Sequence, residues 1–176
     1  MRIFEAPDPG HCHTELELVP VGAICCGMDL PENTMELACP HCGTRNRVPE
    51  PRITERPSCG RCHGELWPDA PLELDLTRFD SLLRKDRVPM LVDFWAAWCG
   101  PCRAMAPVFA ELARAYIGRV RFAKVDTDAE TELAGRYGIR SIPTLIMFAQ
   151  GQEHARIAGA MSATSLRNWL DTQLAR

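Results

Sequence analysis

Apolar and polar positions divide the chain into three stretches of different character. From Leu72 onward they keep a regular period. Leu72-Glu73-Leu74-Asp75-Leu76 alternates as a short edge strand does, and Thr77 stands where it can cap a helix over 78–85. That helix carries Phe79, Leu82 and Leu83 on one face. The unbroken apolar run over 88–97 predicts a central strand, and 101–116 predicts a long helix that Pro107 should kink. A strand over 119–125, a helix over 128–137 stopped by Gly138, and a strand over 143–148 follow. Gln150-Gly151 signals a turn into a hairpin strand over 153–157, and 162–174 forms a closing helix with Leu166, Trp169 and Leu170 inward. The order β-α-β-α-β-α-β-β-α predicts an α/β fold: a mixed central sheet with helices on both faces.

The other two stretches lack such periods. Residues 1–34 are rich in Pro, Gly and acidic residues and read as a flexible extension. Residues 35–68 hold two Cys-x-x-Cys pairs, several prolines and too little apolar material to fold unaided. The expected organisation is therefore an extension over 1–34, a four-cysteine module over 35–68 and an α/β domain over 69–176.

Composition narrows the function. The 176 residues carry a net charge of −3, which offers no basic field for nucleic acid or an anionic membrane surface. No apolar run approaches the ~20 residues that span a bilayer. The first residues lack the basic-then-apolar order of a secretory signal, so the expected location is the cytoplasm. Nine cysteines are many for that compartment and need a use other than structural disulfides. Six form pairs: Cys39/Cys42, Cys59/Cys62 and Cys99/Cys102. Cys12, between His11 and His13, and the vicinal Cys25-Cys26 read as incidental thiols.

Trp98-Cys99-Gly100-Pro101-Cys102 carries the chemistry. It lies between the central strand and the long helix, so Cys99 should sit at a helix N-terminus, where free N–H groups and the macrodipole favour a thiolate. A second sulfur in reach makes this the arrangement of thiol–disulfide exchange. Cys99 should be the more exposed sulfur and the nucleophile, and Cys102 the sulfur that resolves the mixed disulfide. Pro101 removes an N–H donor and no histidine lies between the cysteines, which favours a reductant over an oxidant. No Gly-x-Gly-x-x-Gly fingerprint or phosphate loop is visible, so no tightly bound organic cofactor is expected.

The other two pairs flank sixteen residues, a spacing that suits one structural zinc ion held by the thiolates of Cys39, Cys42, Cys59 and Cys62. Redox disulfides are the alternative. His41 and His63 stand beside these ligands as bystanders, and Gly43 and Gly60 suit tight knuckle turns.

Residues 72–176 resemble the thioredoxin family. The resemblance rests on Asp93-Phe94-Trp95-Ala96, Trp98-Cys99-Gly100-Pro101-Cys102, Pro107, Lys124-Val125-Asp126, Ile142-Pro143-Thr144 and Gly159-Ala160, in that order. With the two preceding pairs, the chain from Met35 on resembles the bacterial thioredoxin 2 branch, which carries an N-terminal zinc module. The resemblance implies a monomeric protein disulfide reductase, recharged by an NADPH-dependent thioredoxin reductase and acting on disulfide-containing proteins. It implies a cis bond before Pro143 and a flat rim of Trp98, Ile142, Gly159 and Ala160 that receives an extended substrate segment. Asp93 either faces solvent or, as its spacing from Cys99 and the family suggest, is a buried carboxyl that exchanges the Cys102 proton. Lys124 is either a solvated strand lysine or the partner that moderates Asp93. Two other roles stay open: a zinc-ribbon adaptor on a rigid platform, and a chaperone or oxidant sensor that acts by releasing zinc.

Overall fold

A computed structural model describes residues 33–175. The extension over 1–34, with Cys12, Cys25 and Cys26, lies almost wholly outside them. Strands β1 (Thr34–Ala38) and β2 (Arg45–Pro49) form an antiparallel ribbon, followed by a 3-10 turn over Glu50–Glu55. The α/β domain runs β3 (Leu72–Glu73), α1 (Leu76–Lys85), β4 (Met90–Trp95), α2 (Gly100–Ala115) and β5 (Arg121–Asp126). It continues with α3 (Thr131–Arg136), β6 (Thr144–Ala149), β7 (Gln152–Ala158) and α4 (Ala163–Leu174). The element order is the expected one, and the sheet is mixed. In the order β3-β5-β4-β6-β7, the first three strands run parallel, β6 runs antiparallel to β4, and β7 runs antiparallel to β6.

Alternation along β4 sorts the core into two layers. Met90, Val92 and Phe94 face Phe79 and Leu82 of α1 and Leu133 of α3. Leu91 faces Met105, Phe109 and Leu112 of α2 and Leu166 and Leu170 of α4. A sheet buried on both faces is why β4 reads as a continuous apolar run.

Some boundaries differ from expectation. Asp75, not Thr77, caps α1, because its carboxylate accepts the Arg78 N–H at 2.8 Å, and this ends β3 at Glu73. Helix α3 starts at Thr131, later than expected, since the Asp126 carboxylate accepts the Asp128 N–H and Thr127 is tied to the Trp95 carbonyl. Helix α2 runs through Pro107, whose side chain is exposed. Trp169 and Leu83 point inward as expected, half-buried and packed against the core.

The cysteine module has more core than its composition suggests, because it borrows some. Leu37, Val48, Ile53, Leu66 and Trp67 pack with Val88 and Ile117 of the α/β domain. The junction is a buried ion pair. Arg121, 2% exposed at the start of β5, donates to the Asp86 carboxylate at 2.6 Å and to the Leu66 carbonyl at 2.9 Å. Its guanidinium lies 4.8 Å over the Trp67 ring, and the other Asp86 oxygen accepts the Ala38 N–H at 3.3 Å. Lys85 adds a bond to the Gly43 carbonyl.

Candidate functional site

The paired thiols of the long helix are joined. Cys99 and Cys102 form a disulfide, and Cys99 is the N-cap of α2. The Cys102 N–H donates to the Cys99 sulfur at 3.2 Å, so the same N–H is in place to stabilise a Cys99 thiolate once the bond opens. Gly100 and Pro101 complete the exposed first turn. The expected difference in exposure is slight in this oxidised form, with Cys99 at 4% and Cys102 at 2%.

The strand ends bring the expected neighbours to this sulfur. The Ile142–Pro143 bond is cis, and the Ile142 carbonyl oxygen lies 3.8 Å from the Cys99 sulfur. The Gly159 N–H donates to the Pro143 carbonyl at 2.8 Å, and Gly159 takes φ +97°, a left-handed value suited to glycine. Gly159 and Ala160 are exposed and Ile142 half-buried. Trp98 is a large exposed hydrophobic side chain, 69% accessible, and is held by its indole N–H donating to Asp128 at 2.8 Å. Asp128 is invisible to sequence reasoning, because an acid just past a strand end has no periodicity to mark it.

Asp93 is buried in β4, in register with Lys124 on one side and Leu145 on the other. One carboxylate oxygen is buried without a hydrogen-bond partner. Burial pushes its pKa up to about 7, against the opposing pull of Lys124 and with help from the charge of Glu73. Lys124 does not ion-pair with Asp93. Its ammonium sits 3.2 Å from Glu73 and 3.7 Å over the Trp95 ring. A carboxyl that keeps its proton near neutrality leaves the lysine to the acid that is charged. Trp95 itself is half-buried.

This burial has a cost that pH controls. The folded pKa of about 7 lies above the ordinary value of 3.8, so the folded state keeps a proton that the unfolded chain has released. Stability therefore falls as pH rises from about 4 to 7 and levels off above that. Asp93→Asn is expected to stabilise the oxidised protein by ~2–3 kcal/mol at pH 8, after allowing for desolvation of the amide. The gain should shrink to nothing near pH 4. Denaturant melts at several pH values measure it, and a gain independent of pH would contradict the assignment.

The four remaining described cysteines converge. The sulfurs of Cys39, Cys42, Cys59 and Cys62 all lie within 4.8 Å of one another, with Cys39–Cys62 at 3.5 Å and Cys42–Cys59 at 3.7 Å. Tetrahedral zinc–thiolate bonds of ~2.3 Å require sulfur separations of ~3.8 Å, so the donor set fits zinc. The two knuckles repeat one turn. Cys39 N–H donates to Thr44 O and Gly43 N–H to Cys39 O; likewise Cys59 N–H donates to Gly64 O and His63 N–H to Cys59 O. The His41 and Arg61 N–H groups each donate to a ligand sulfur at 3.4 Å. Gly43 and His63 take the left-handed positions at φ +66° and +59°, and Gly60 lies within the second knuckle turn, as expected. Asn46, which nothing in the sequence marks, clamps the knuckles together. Its amide donates to Thr44 O and to the Cys59 sulfur, and its carbonyl oxygen accepts the Gly60 N–H.

The module's apolar core and the dithiol meet the sheet at its two ends, and the Cys39–Gly43 knuckle lies beside Thr77, Arg78 and Ser81 of α1. The module packs on Val88 and Arg121, where β4 and β5 begin, and Cys99 follows where β4 ends. Six strand residues span about 20 Å.

Comparison with known proteins agrees in both parts of the chain. Residues 70–172 match the thioredoxin family, and residues 38–64 match the N-terminal zinc ribbon of thioredoxin 2. Thioredoxin C-3 of Corynebacterium nephridii is 44% identical over 140 residues, 80% of this chain and 96% of that protein. A Nostoc thioredoxin 1 is 51% identical over 100 residues, 57% of this chain and 92% of its own length. The solved structure of a mutant thioredoxin from Halobacterium salinarum superposes with a TM-score of 0.57 at 34% identity, covering 63% of this chain and 96% of that one.

Proposed function

The chain belongs to the thioredoxin family, and on that premise we propose that it reduces protein disulfides through Cys99 and Cys102. The observation that carries this reading is the Cys99 sulfur capping α2, with the Cys102 N–H donated to it and the Ile142 carbonyl beside it.

The cycle starts from the reduced pair. The Cys99 thiolate attacks one sulfur of a substrate disulfide, forming a mixed disulfide and expelling the other substrate sulfur as a thiolate. The Asp93 carboxylate then takes the Cys102 proton, and the Cys102 thiolate attacks the Cys99 sulfur. This closes the Cys99–Cys102 bond and releases the second substrate sulfur. Two electrons have passed to the substrate, and the Asp93 proton leaves to solvent or product. Trp98, Gly100, Pro101, Ile142, Pro143, Gly159 and Ala160 form the rim against which an extended substrate segment pairs with the Ile142 backbone. An NADPH-dependent thioredoxin reductase returns the electrons.

Cys39, Cys42, Cys59 and Cys62 hold one zinc ion per chain. A closed four-thiolate site is structural and supplies no chemistry to the exchange. We divide the chain at 34/35 and 68/69, although β1 begins at Thr34. A monomer in the cytoplasm suits the reading, since a reducing compartment keeps all these thiols available. No helix among the described residues is long and apolar enough to cross a membrane.

Insulin reduction coupled to NADPH and thioredoxin reductase tests the proposal. Steady NADPH oxidation is the expected result, and none with a fully reduced, zinc-loaded protein would overturn it. For the metal site, Asn46→Ala should weaken zinc binding by ~10–100-fold in competition with a chromophoric chelator while insulin reduction is retained. An unchanged affinity would remove Asn46 from the site.

A further inference from the structure

Three charged side chains form one row across the sheet. Glu73 of β3 is in register with Lys124 of β5, which is in register with Asp93 of β4. Alternation puts all three on the same face. Leu72 and Leu74, which flank Glu73, pack into the α1/α3 layer on the opposite side. Leu91 and Phe122, two residues before Asp93 and Lys124, pack into the α2/α4 layer on the same side. Lys124 thus stands between two acids, and its position decides which one is neutralised. It is paired with Glu73 at 3.2 Å, and the Trp95 ring closes over it at 3.7 Å. Asp93 keeps an unpartnered buried oxygen.

We propose that Glu73 is a positioning residue: with the Trp95 ring, it holds the Lys124 ammonium away from Asp93 and so preserves that carboxyl as a proton acceptor. This rests on the proton role given to Asp93 above. Without Glu73 the ammonium is free to swing along the row toward the buried carboxylate. An ion pair there would favour the charged form and weaken Asp93 as a base for the Cys102 thiol. The charged groups acting on Asp93 are Lys124 from β5 and Glu73 from β3, and its β6 neighbour Leu145 carries none; α2, which packs on the same face, contributes the buried Cys102. Glu73 is exposed, on an edge strand of two residues, so replacing it should leave the fold intact.

The test is a carbon-detected NMR titration of the Asp93 carboxyl in the oxidised protein, where the active-site cysteines do not titrate. Glu73→Gln should lower the midpoint by about half a unit or more, roughly threefold in proton affinity. Glu73→Asp, which keeps the charge, should recover most of the shift. In a Lys124→Met background, Glu73→Gln should move the midpoint much less, because the lysine is the intermediary. An unchanged midpoint in Glu73→Gln would overturn the proposal, as would an equal shift with and without Lys124. The pH profile of insulin reduction separates the two readings. If the titration moves and the acid limb of the profile does not, positioning by Glu73 stands and the proton role of Asp93 falls.

Discussion

Cys99→Ser is expected to lower insulin reduction by at least ~10³-fold, while Cys102→Ser leaves a stable adduct with substrate at Cys99. The asymmetry follows from where the two sulfurs sit. Cys99 is the cap of α2 and already receives the Cys102 N–H, so its thiolate is the one the fold stabilises. A serine hydroxyl in that place stays protonated at neutral pH and is far too weak a nucleophile for a disulfide. Cys102, three residues on and buried, receives no such donor from the cap, and its task is to attack the first sulfur. Losing it stops the cycle after the first step, not before. Mass spectrometry of the two variants after exposure to a disulfide peptide reads this directly. Adducts at Cys102 in Cys99→Ser, accumulating as fast as those at Cys99 in Cys102→Ser, would reverse the roles.

Arg121→Leu is expected to cost ~3–5 kcal/mol, roughly 10 °C in melting temperature. The loss is large because the substitution strands Asp86, which is itself buried and whose other oxygen accepts the Ala38 N–H of the cysteine module. It also removes the donor to Leu66 O and the cation over Trp67. Removing both charges should be much milder. Arg121→Leu combined with Asp86→Leu leaves no buried ion at the junction and is expected to recover more than half of the loss. Thermal and denaturant unfolding of the single and double variants measure this coupling. A double variant as unstable as the single would mean that packing, not charge, makes Arg121 important.

Much of this architecture is legible in the sequence alone. Element order and sheet type follow from periods of two and of three to four residues, and those are robust because burial on both faces imposes them. The dithiol and the four-cysteine cluster are legible because spacing within a turn fixes which sulfurs meet. What stays hidden is polar and long-range. Asp86 and Arg121 look like ordinary surface charges, thirty-five residues apart in sequence, and only the docking of two modules buries them. Glu73 follows the alternation of an edge strand so well that nothing marks it as a partner for Lys124. His63 is hidden too, because nothing in the sequence marks a histidine for the left-handed position that Gly43 holds in the other knuckle.

Among the described residues, the Cys99–Cys102 pair and the four-cysteine cluster share no bond through which to exchange electrons. The first stands where β4 gives way to α2, and the second lies beside Thr77, Arg78 and Ser81 of α1. An encounter between two molecules is one route by which they could exchange. Such traffic would be second order, rising with the square of the concentration of the chain.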